Sequence, residues 1–437
     1  MRRTCINTVD LFCGAGGAST GMELALERLG LVHKGLAINH WQVAVDTMKA
    51  NHPAIDTKQM SVEEAVPADL VPGGVVDLLW ASPSCTHHSR AKGGKPRSNQ
   101  LRAQPELILT WLDQLFVRRI IIENVPEFVQ WGPLGRDGRP LKRKEGACFA
   151  AWVEGIRARN YEVEWRIVNC ADYGDATSRK RFFLKAVRKG CGRIRWPEPT
   201  HAENPETDLW GKKLKRWRGV RECLDLEDLG RSIYGRKTPL SENTLRKIAV
   251  GMAQYNGIFL MDMLGTDGSE ADYARRCHGL EEPLPTQHAG GNRCAVVRPF
   301  IVRLNRNCFA ESVDEPLFAV TAGGQHHVLC SPMVLDHFRN GEVTDGREPL
   351  GAQTTHDRFS VVTPVVVKDG DGLPRLPDGR YLDILIRMLK PSELAAAHSF
   401  PEDYKLTGNR TEQVKQIGNS VPVRTAAAMC EADLKSA

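Results

Sequence analysis

Cys85 stands in the stretch Ala81-Ser82-Pro83-Ser84-Cys85-Thr86-His87-His88-Ser89, directly after the apolar run Val75-Val76-Asp77-Leu78-Leu79-Trp80. That run reads as a buried parallel strand bounded by Gly73-Gly74 and Pro83. A thiol just past the carboxyl end of such a strand sits where open α/β sheets place their ligands. Arg90, Lys92, Lys95, Arg97 and Arg102 follow with no acid among them, and Gly93-Gly94 would let the loop move. A thiol on a mobile cationic loop suits attack on a polyanion. Taken alone, one cysteine among twelve reads more readily as an inert buried thiol.

Two further groups strengthen the chemical reading. Arg119-Ile120-Ile121-Ile122 is a second buried strand, and it ends in Glu123-Asn124-Val125-Pro126. A carboxylate at the mouth of a parallel sheet, on the edge that carries Cys85, is placed to hydrogen-bond a substrate, although an isolated Glu is more often a cap or an ion-pair partner. Arg179 and Arg181 occupy alternate positions of an extended segment, so they share a face. Two guanidiniums beside a nucleophile hold a phosphate or polarise a base carbonyl.

The elements that position these groups alternate as strand and helix. Thr8-Val9-Asp10-Leu11-Phe12 reads as a short strand, followed by the turn Cys13-Gly14-Ala15-Gly16-Gly17-Ala18-Ser19. Met22, Ala25, Leu26 and Leu29 then line one helix face, and Gly30 stops the helix. Strand, glycine turn and helix bring bare backbone N–H groups close to a nucleotide-like ligand. No Gly-x-x-x-x-Gly-Lys is present, against a nucleotide triphosphatase. The second strand, near Gly35–Ile38, ends at Asn39-His40-Trp41; a dinucleotide site has an acid there, and His40 argues against NAD. Trp41 reads equally as an adenine-stacking ring and as core.

Beyond Gly190 the alternation stops, which divides the chain into 1–189, 190–385 and 386–437. In the middle part Glu282-Pro283-Leu284, Glu315-Pro316-Leu317 and Glu348-Pro349-Leu350 recur every 33 residues, each followed by a turn and a β-branched run. Three such units predict a second, smaller, strand-rich domain. Arg293, Gln325, His326 and Arg358, in or near the turns, are candidate base-reading residues; each reads equally as a solvated loop residue.

Bulk properties narrow the class. With 437 residues, 41% apolar and 26% charged, the chain is of a soluble, two-core type. No apolar run spans a bilayer and no signal peptide opens the chain, so a cytoplasmic protein with reduced thiols is expected. The absence of any Cys-x-x-Cys pair argues against a metal site. Net charge is only +6, yet residues 177–221 carry fourteen Lys or Arg against four acids, interleaved with Trp196, Trp210 and Trp217, which reads as a phosphate-binding surface.

In order along the chain, these motifs resemble those of the DNA (cytosine-5)-methyltransferases. Asp10-Leu11-Phe12-Cys13-Gly14-Ala15-Gly16-Gly17 is similar to the family's S-adenosylmethionine loop, Pro83-Ser84-Cys85 to its Pro-Pro-Cys, Glu123-Asn124-Val125 to its Glu-Asn-Val, and Arg179-Lys180-Arg181 to its Arg-x-Arg. Arg387-Met388-Leu389 with Glu393 and Phe400-Pro401 resembles the penultimate motif, and Gly418-Asn419-Ser420-Val421-Pro422 the last. The resemblance implies a Rossmann-like catalytic domain, S-adenosylmethionine as cofactor, double-stranded DNA as partner, a monomer, and a target-recognition domain across the repeats. It makes Cys85 the nucleophile at ring position 6 of a flipped cytosine, with Glu123, Arg179 and Arg181 catalytic. Asp10, Phe12, Gly14, Gly16, Gly17, Asn39, His40, Trp41, Pro83, Asn419, Ser420 and Val421 fall to the cofactor. Ser89, Arg90, Lys92, Lys95 and Arg97 fall to DNA.

The chain departs from the pattern at Ser84, at Thr86-His87-His88-Ser89, at His40 where a ribose-binding Glu is usual, and at Gln59-Met60-Ser61 where an Asp often meets adenine. Three rival readings follow: the same chemistry on tRNA, transfer of a different group from a modified sulfonium cofactor, and a non-catalytic DNA-binding regulator. The long segment from Gly190 to Asp383 argues against the first, and joint retention of Cys85, Glu123, Arg179 and Arg181 against the last.

Overall fold

The computed structural model describes residues 4–83, 104–135, 140–205, 213–225, 228, 231–234, 236–241, 244–246, 248, 259–262, 270–279, 281–284 and 384–435, with the strands between 294 and 382 named below. The chain forms two compact units, one of 1–223, 283–291 and 391–437, the other of 224–282 and 292–390. Residues 190–223 are grouped with the first unit.

The first unit is built on seven strands: β1 Cys5–Leu11, β2 Val32–Asn39, β3 Asp56–Gln59, β4 Val75–Ala81, β5 Phe116–Asn124, β6 Tyr161–Asn169 and β7 Lys180–Arg188. Their order is β3-β2-β1-β4-β5-β7-β6. The pairs among β1 to β5 are parallel, whereas β7 runs antiparallel to both β5 and β6. This is a Rossmann-like α/β sheet, and its order reverses between β1 and β4, where open sheets leave a crevice at their carboxyl ends.

Alternation along the strands sends side chains to two cores. Leu78, Trp80, Ile121 and Phe183 pack on one face against α1 (Gly17–Arg28) and the last helix. A shorter helix, α2 (Gln42–Asn51), follows β2. Leu79, Ala81, Ile120, Ile122, Phe182 and Leu184 pack on the other face against helices α3 (Gln104–Gln114) and α4 (Ala147–Arg157). Three helices close the chain after 390: α5 Pro391–Ala397, α6 Arg410–Asn419 and α7 Val423–Leu434. The expected end of α1 is found: Gly30 takes φ +68, and the N–H groups of Gly30 and Leu31 return to Glu27 and Leu26. Among the described residues no helix is long and apolar enough to cross a membrane.

The second unit is strand-rich. Arg231–Ser232, Leu385–Met388, Cys294–Arg298, Phe259–Asp262 and Cys277–Gly279 form an antiparallel five-stranded sheet in that order, over a core of Ile233, Ile248, Phe259, Met261, Cys277, Ile384 and Ile386. Ile301–Arg303 pairs with Ala310–Glu311 and His327–Val328, Met333–Asp336 with Val343–Asp345 and Phe359–Val362, and Val366–Val367 with Tyr381–Leu382. The β-branched runs of the three repeats are therefore strands, each in a different sheet. Arg293, Gln325, His326 and Arg358 lie outside the described residues.

Candidate active site

The carboxyl ends of β1, β4 and β5 and the start of β7 meet at one edge of the sheet. The N–H of Ser82, just past β4, donates to the Leu11 carbonyl at 3.1 Å. Asn124, at the end of β5, donates its amide to the Pro83 carbonyl at 3.1 Å. The backbone leading into Cys85 is thus tied to both neighbouring strands, while Cys85, Ser89, Arg90, Lys92, Lys95 and Arg97 themselves lie outside the described residues.

Glu123 is buried at this edge with Arg181, whose Nε lies 3.1 Å from Glu123 Oε1. Burial pushes the Glu123 carboxyl up, against the pull of Arg181, of Arg179 and of a hydrogen bond from Ser82. Arg179 is buried and donates from Nη2 to the Gly418 carbonyl at 2.9 Å, so a motif near the end of the chain holds it in place. The buried His398, 3.4 Å from Ser420 Oγ, feels the charge of both guanidiniums. Its own burial, then the two arginine charges, push its pKa well below the ordinary imidazole value, so the ring is neutral. A neutral ring there adds no charge to compete for Glu123.

The turn after β1 carries the second half of the site. Phe12 adopts φ +62, and Gly14 and Gly16 adopt +54 and +82. A Cβ on Gly16 would come within 2.6 Å of Met48 Sδ, and one on Gly17 within 2.2 Å of the Val421 carbonyl oxygen. The glycines therefore let the turn press against α2 and against the Ser420–Val421 segment. Tyr404 donates its hydroxyl to the Ala15 carbonyl, and His52, itself paired with Glu23 at 2.7 Å, stands 3.1 Å from that hydroxyl.

Asp10 is buried and accepts from Ser19 Oγ at 2.6 Å through Oδ2, leaving Oδ1 without a partner among the described residues. Burial pushes its carboxyl up to about 7, with the Ser19 hydrogen bond pulling the other way. The first turn of α1 has neither a side-chain cap nor an acid, so its N–H groups are open to an anion. An open carboxylate oxygen beside an uncapped helix start fits the amino-acid end of S-adenosylmethionine, which carries an ammonium and a carboxylate.

The remaining cofactor candidates are spread more widely. Asn39 uses its side-chain oxygen to accept from the Trp41 N–H at 2.9 Å, which shapes the turn after β2. His40 is exposed. One face of the Trp41 ring is covered by Lys415 Nζ, 4.3 Å from the centroid. Ser420 is buried and Asn419 exposed at the end of α6. Sequence reasoning passed over Asn124, although it lay inside a quoted motif. Nor did it single out Ser19, whose partner Asp10 lies nine residues back, or Ser82, Tyr404 and His398, whose partners are distant in the chain.

The tryptophans of the basic run are used by the fold. Trp196 lies under Arg166 at 4.7 Å and donates to Glu164 at 2.8 Å, and Trp217 donates to Asp172 at 2.9 Å. Trp210 lies outside the described residues. Among the described residues no cluster of three or more His, Cys, Asp or Glu is arranged to hold a metal.

The family model for C-5 cytosine-specific DNA methylases matches residues 6–216 and 342–434, well over half the chain, and the chain belongs to that family. Members of the family use S-adenosylmethionine as methyl donor. Among curated relatives, the type II methyltransferase M.SacI of Streptomyces achromogenes is 28% identical over 252 residues, 53% of this chain and 62% of that one. M.AquIA of Picosynechococcus is 25% identical over 227 residues, 49% of this chain and 86% of that one. The rice DNA (cytosine-5)-methyltransferase 1A is 28% identical over 242 residues, 47% of this chain and 14% of that one. The chain thus spans a small part of the rice protein, and 42% of a putative type II methyltransferase of Oceanobacillus iheyensis. Among solved structures, the Entamoeba histolytica methyltransferase EhMeth aligns over 99% of both chains at 12% identity and a TM-score of 0.48.

Proposed function

We propose that this protein transfers a methyl group from S-adenosylmethionine to carbon 5 of a cytosine flipped out of double-stranded DNA, at a sequence read by the strand-rich second unit. The observation that carries this reading is the buried Glu123–Arg181 pair, with Arg179 beside it, at the sheet edge that leads through Pro83 into Cys85. Asp10, the Gly14–Gly17 turn and the start of α1 would hold the cofactor, which when bound supplies an electrophilic methyl group.

The protein groups divide the remaining work. A cytosine ring carbon is a weak nucleophile until a thiolate adds at position 6; the new S–C bond moves electron density to position 5. Cys85 is the thiol for this addition. Cys13, Cys170 and Cys430 are unsuited to it, because burial raises all three and keeps them protonated. Burial raises the Glu123 carboxyl, which favours its carrying a proton to share with the ring nitrogen and so stabilising the adduct as it forms. Arg181 orients that carboxyl, and both arginines favour negative charge building on the base. After transfer, loss of the proton from position 5 expels the thiolate and restores the ring. Because the target atom is unreachable inside a duplex, the base must leave the stack.

The test is nucleoside mass spectrometry of plasmid DNA from cells expressing the wild type or Cys85→Ala. 5-Methylcytosine in the wild type and none in the variant is the expected outcome. Equal 5-methylcytosine from both would sink the nucleophile assignment, and unmodified DNA from both would sink the activity.

A further inference from the structure

A cavity of about 550 Å³ opens among α1, α7 and two short strands, β8 (His201–Ala202) and β9 (Lys215–Arg216). Arg28, Tyr173, His201, Lys215, Arg424 and Glu431 are among its lining residues, and neither Glu123, Arg179 nor Arg181 is. Its charges do not balance. Glu431, the one acid in the lining, is shared between Arg28 at 3.4 Å and Lys435 at 2.9 Å. Arg424 and Arg218 both donate to the Gly174 carbonyl, at 3.2 and 3.3 Å, which brings two like charges onto a single oxygen. Arg218 also reaches the exposed Glu222 at 3.2 Å.

Among the described residues the Lys215 ammonium makes no hydrogen bond or ion pair, and the Arg424 guanidinium hydrogen-bonds only to that carbonyl, with the buried Asp175 carboxyl as the main opposing charge. Arg424 itself and His201 sense the excess. Partial burial, and then Arg218, pulls Arg424 down; burial, and then Lys215, Arg424 and Arg218, pulls His201 down, so the imidazole does not add its own charge. Cations held together at a cost are stabilised by an anion that accepts from several of them.

We propose that this cavity is a phosphate-binding site, in which Lys215 and Arg424 hold the anion apart from the Glu123–Arg181 centre. A tetrahedral anion accepts from several directions at once, as the spread of Arg424, Lys215 and the Thr200 and Tyr173 hydroxyls requires. The volume lies within the range of small-molecule sites and leaves room for what the phosphate is attached to. The same group arrives either on a DNA backbone or as free phosphate. Neither requires methyl transfer, so the site stands independently of the proposed activity.

Two measurements on the full chain decide the matter. The first is equilibrium dialysis of radiolabelled inorganic phosphate at fixed ionic strength, for the wild type, Lys215→Gln and Arg424→Gln. The second is duplex affinity as a function of salt for the same proteins, with circular dichroism to check that each variant is folded. Loss of one charge-assisted contact is expected to weaken phosphate binding about tenfold in each variant. A slope of log affinity against log salt that falls by about one identifies the DNA backbone as the source, even where free phosphate is not retained. Weaker phosphate binding with an unchanged slope identifies free phosphate. Phosphate binding equal in all three proteins, or none in the wild type together with an unchanged slope, overturns the proposal.

Discussion

Burial acts in the same direction on two carboxyls of this site. Glu123 and Asp10 are both withdrawn from water, and both are driven toward the protonated form. Glu123 has Arg181 at 3.1 Å to oppose that drive, whereas Asp10 has only the Ser19 hydroxyl. Asp10 should therefore couple stability to pH. Its carboxyl sits at about 7 in the folded chain against 3.8 for an aspartate in water, so the folded state binds more protons between those values. Its contribution is fully present below about pH 4 and is lost as pH rises through about 7. Asp10→Asn keeps the Ser19 hydrogen bond and removes the titration. Denaturant melts should show the variant gaining on the wild type as pH rises from 5 to 8, by on the order of a few kcal/mol at the top. Parallel pH profiles for the two proteins would mean that the Asp10 carboxyl does not titrate in this window.

At the scale of elements, the contact between α1 and α7 positions the glycine turn after β1. The two helices approach closely because Gly21 faces Ala426: a Cβ at Gly21 would lie 2.5 Å from Ala426 Cβ and 2.8 Å from the Ala427 nitrogen. The obstacle includes helix backbone, which cannot rotate away. Gly21→Ala therefore forces the helices apart, at about 1–3 kcal/mol for overpacking in a filled core. Urea unfolding should show that loss despite the gain in helix propensity, and a stabilised variant would mean that the helices slide at little cost. The same contact runs on to Gly17 and the Val421 carbonyl. Spreading α1 from α7 thus moves the turn that carries Gly14 and Gly16.

At the scale of the molecule, the chain leaves the first unit after Cys223, touches it again over 283–291, and returns at Pro391 to complete it. The returning segment is fastened by a buried ion pair, Lys185 Nζ to Asp433 Oδ2 at 3.1 Å, between β7 and α7. Lys185 also donates to the carbonyls of Arg195 and Met429, and Arg119 donates from β5 to the Asp433 carbonyl. Breaking one side strands a buried charge, which typically costs about 3–5 kcal/mol, whereas replacing both partners by apolar groups of similar size costs far less. Asp433→Ala should lower the unfolding free energy by that amount, and Lys185→Met with Asp433→Leu should recover most of it. A double variant as unstable as the single one would assign the stabilisation to the Lys185 hydrogen bonds instead.

What the amino-acid sequence determined by itself is what short-range periodicity encodes. The apolar runs before Pro83 and Glu123 could be read as buried strands because such runs have no polar face to present to water. The glycines after Asp10 marked a turn because glycine adopts left-handed backbone at little cost and leaves room for close contacts. The order of the motifs along the chain carried the family. Tertiary structure alone decided which distant groups meet: Arg181 with Glu123, Arg179 with the Gly418 carbonyl, His398 with Ser420, and Lys215 with Arg424 around one cavity. It also groups residues 190–223 with the first unit: they keep no strand–helix rhythm, yet Trp196 and Trp217 hydrogen-bond to Glu164 and Asp172. Each of these contacts depends on how the sheet and its helices close in space, and no local pattern records that closure.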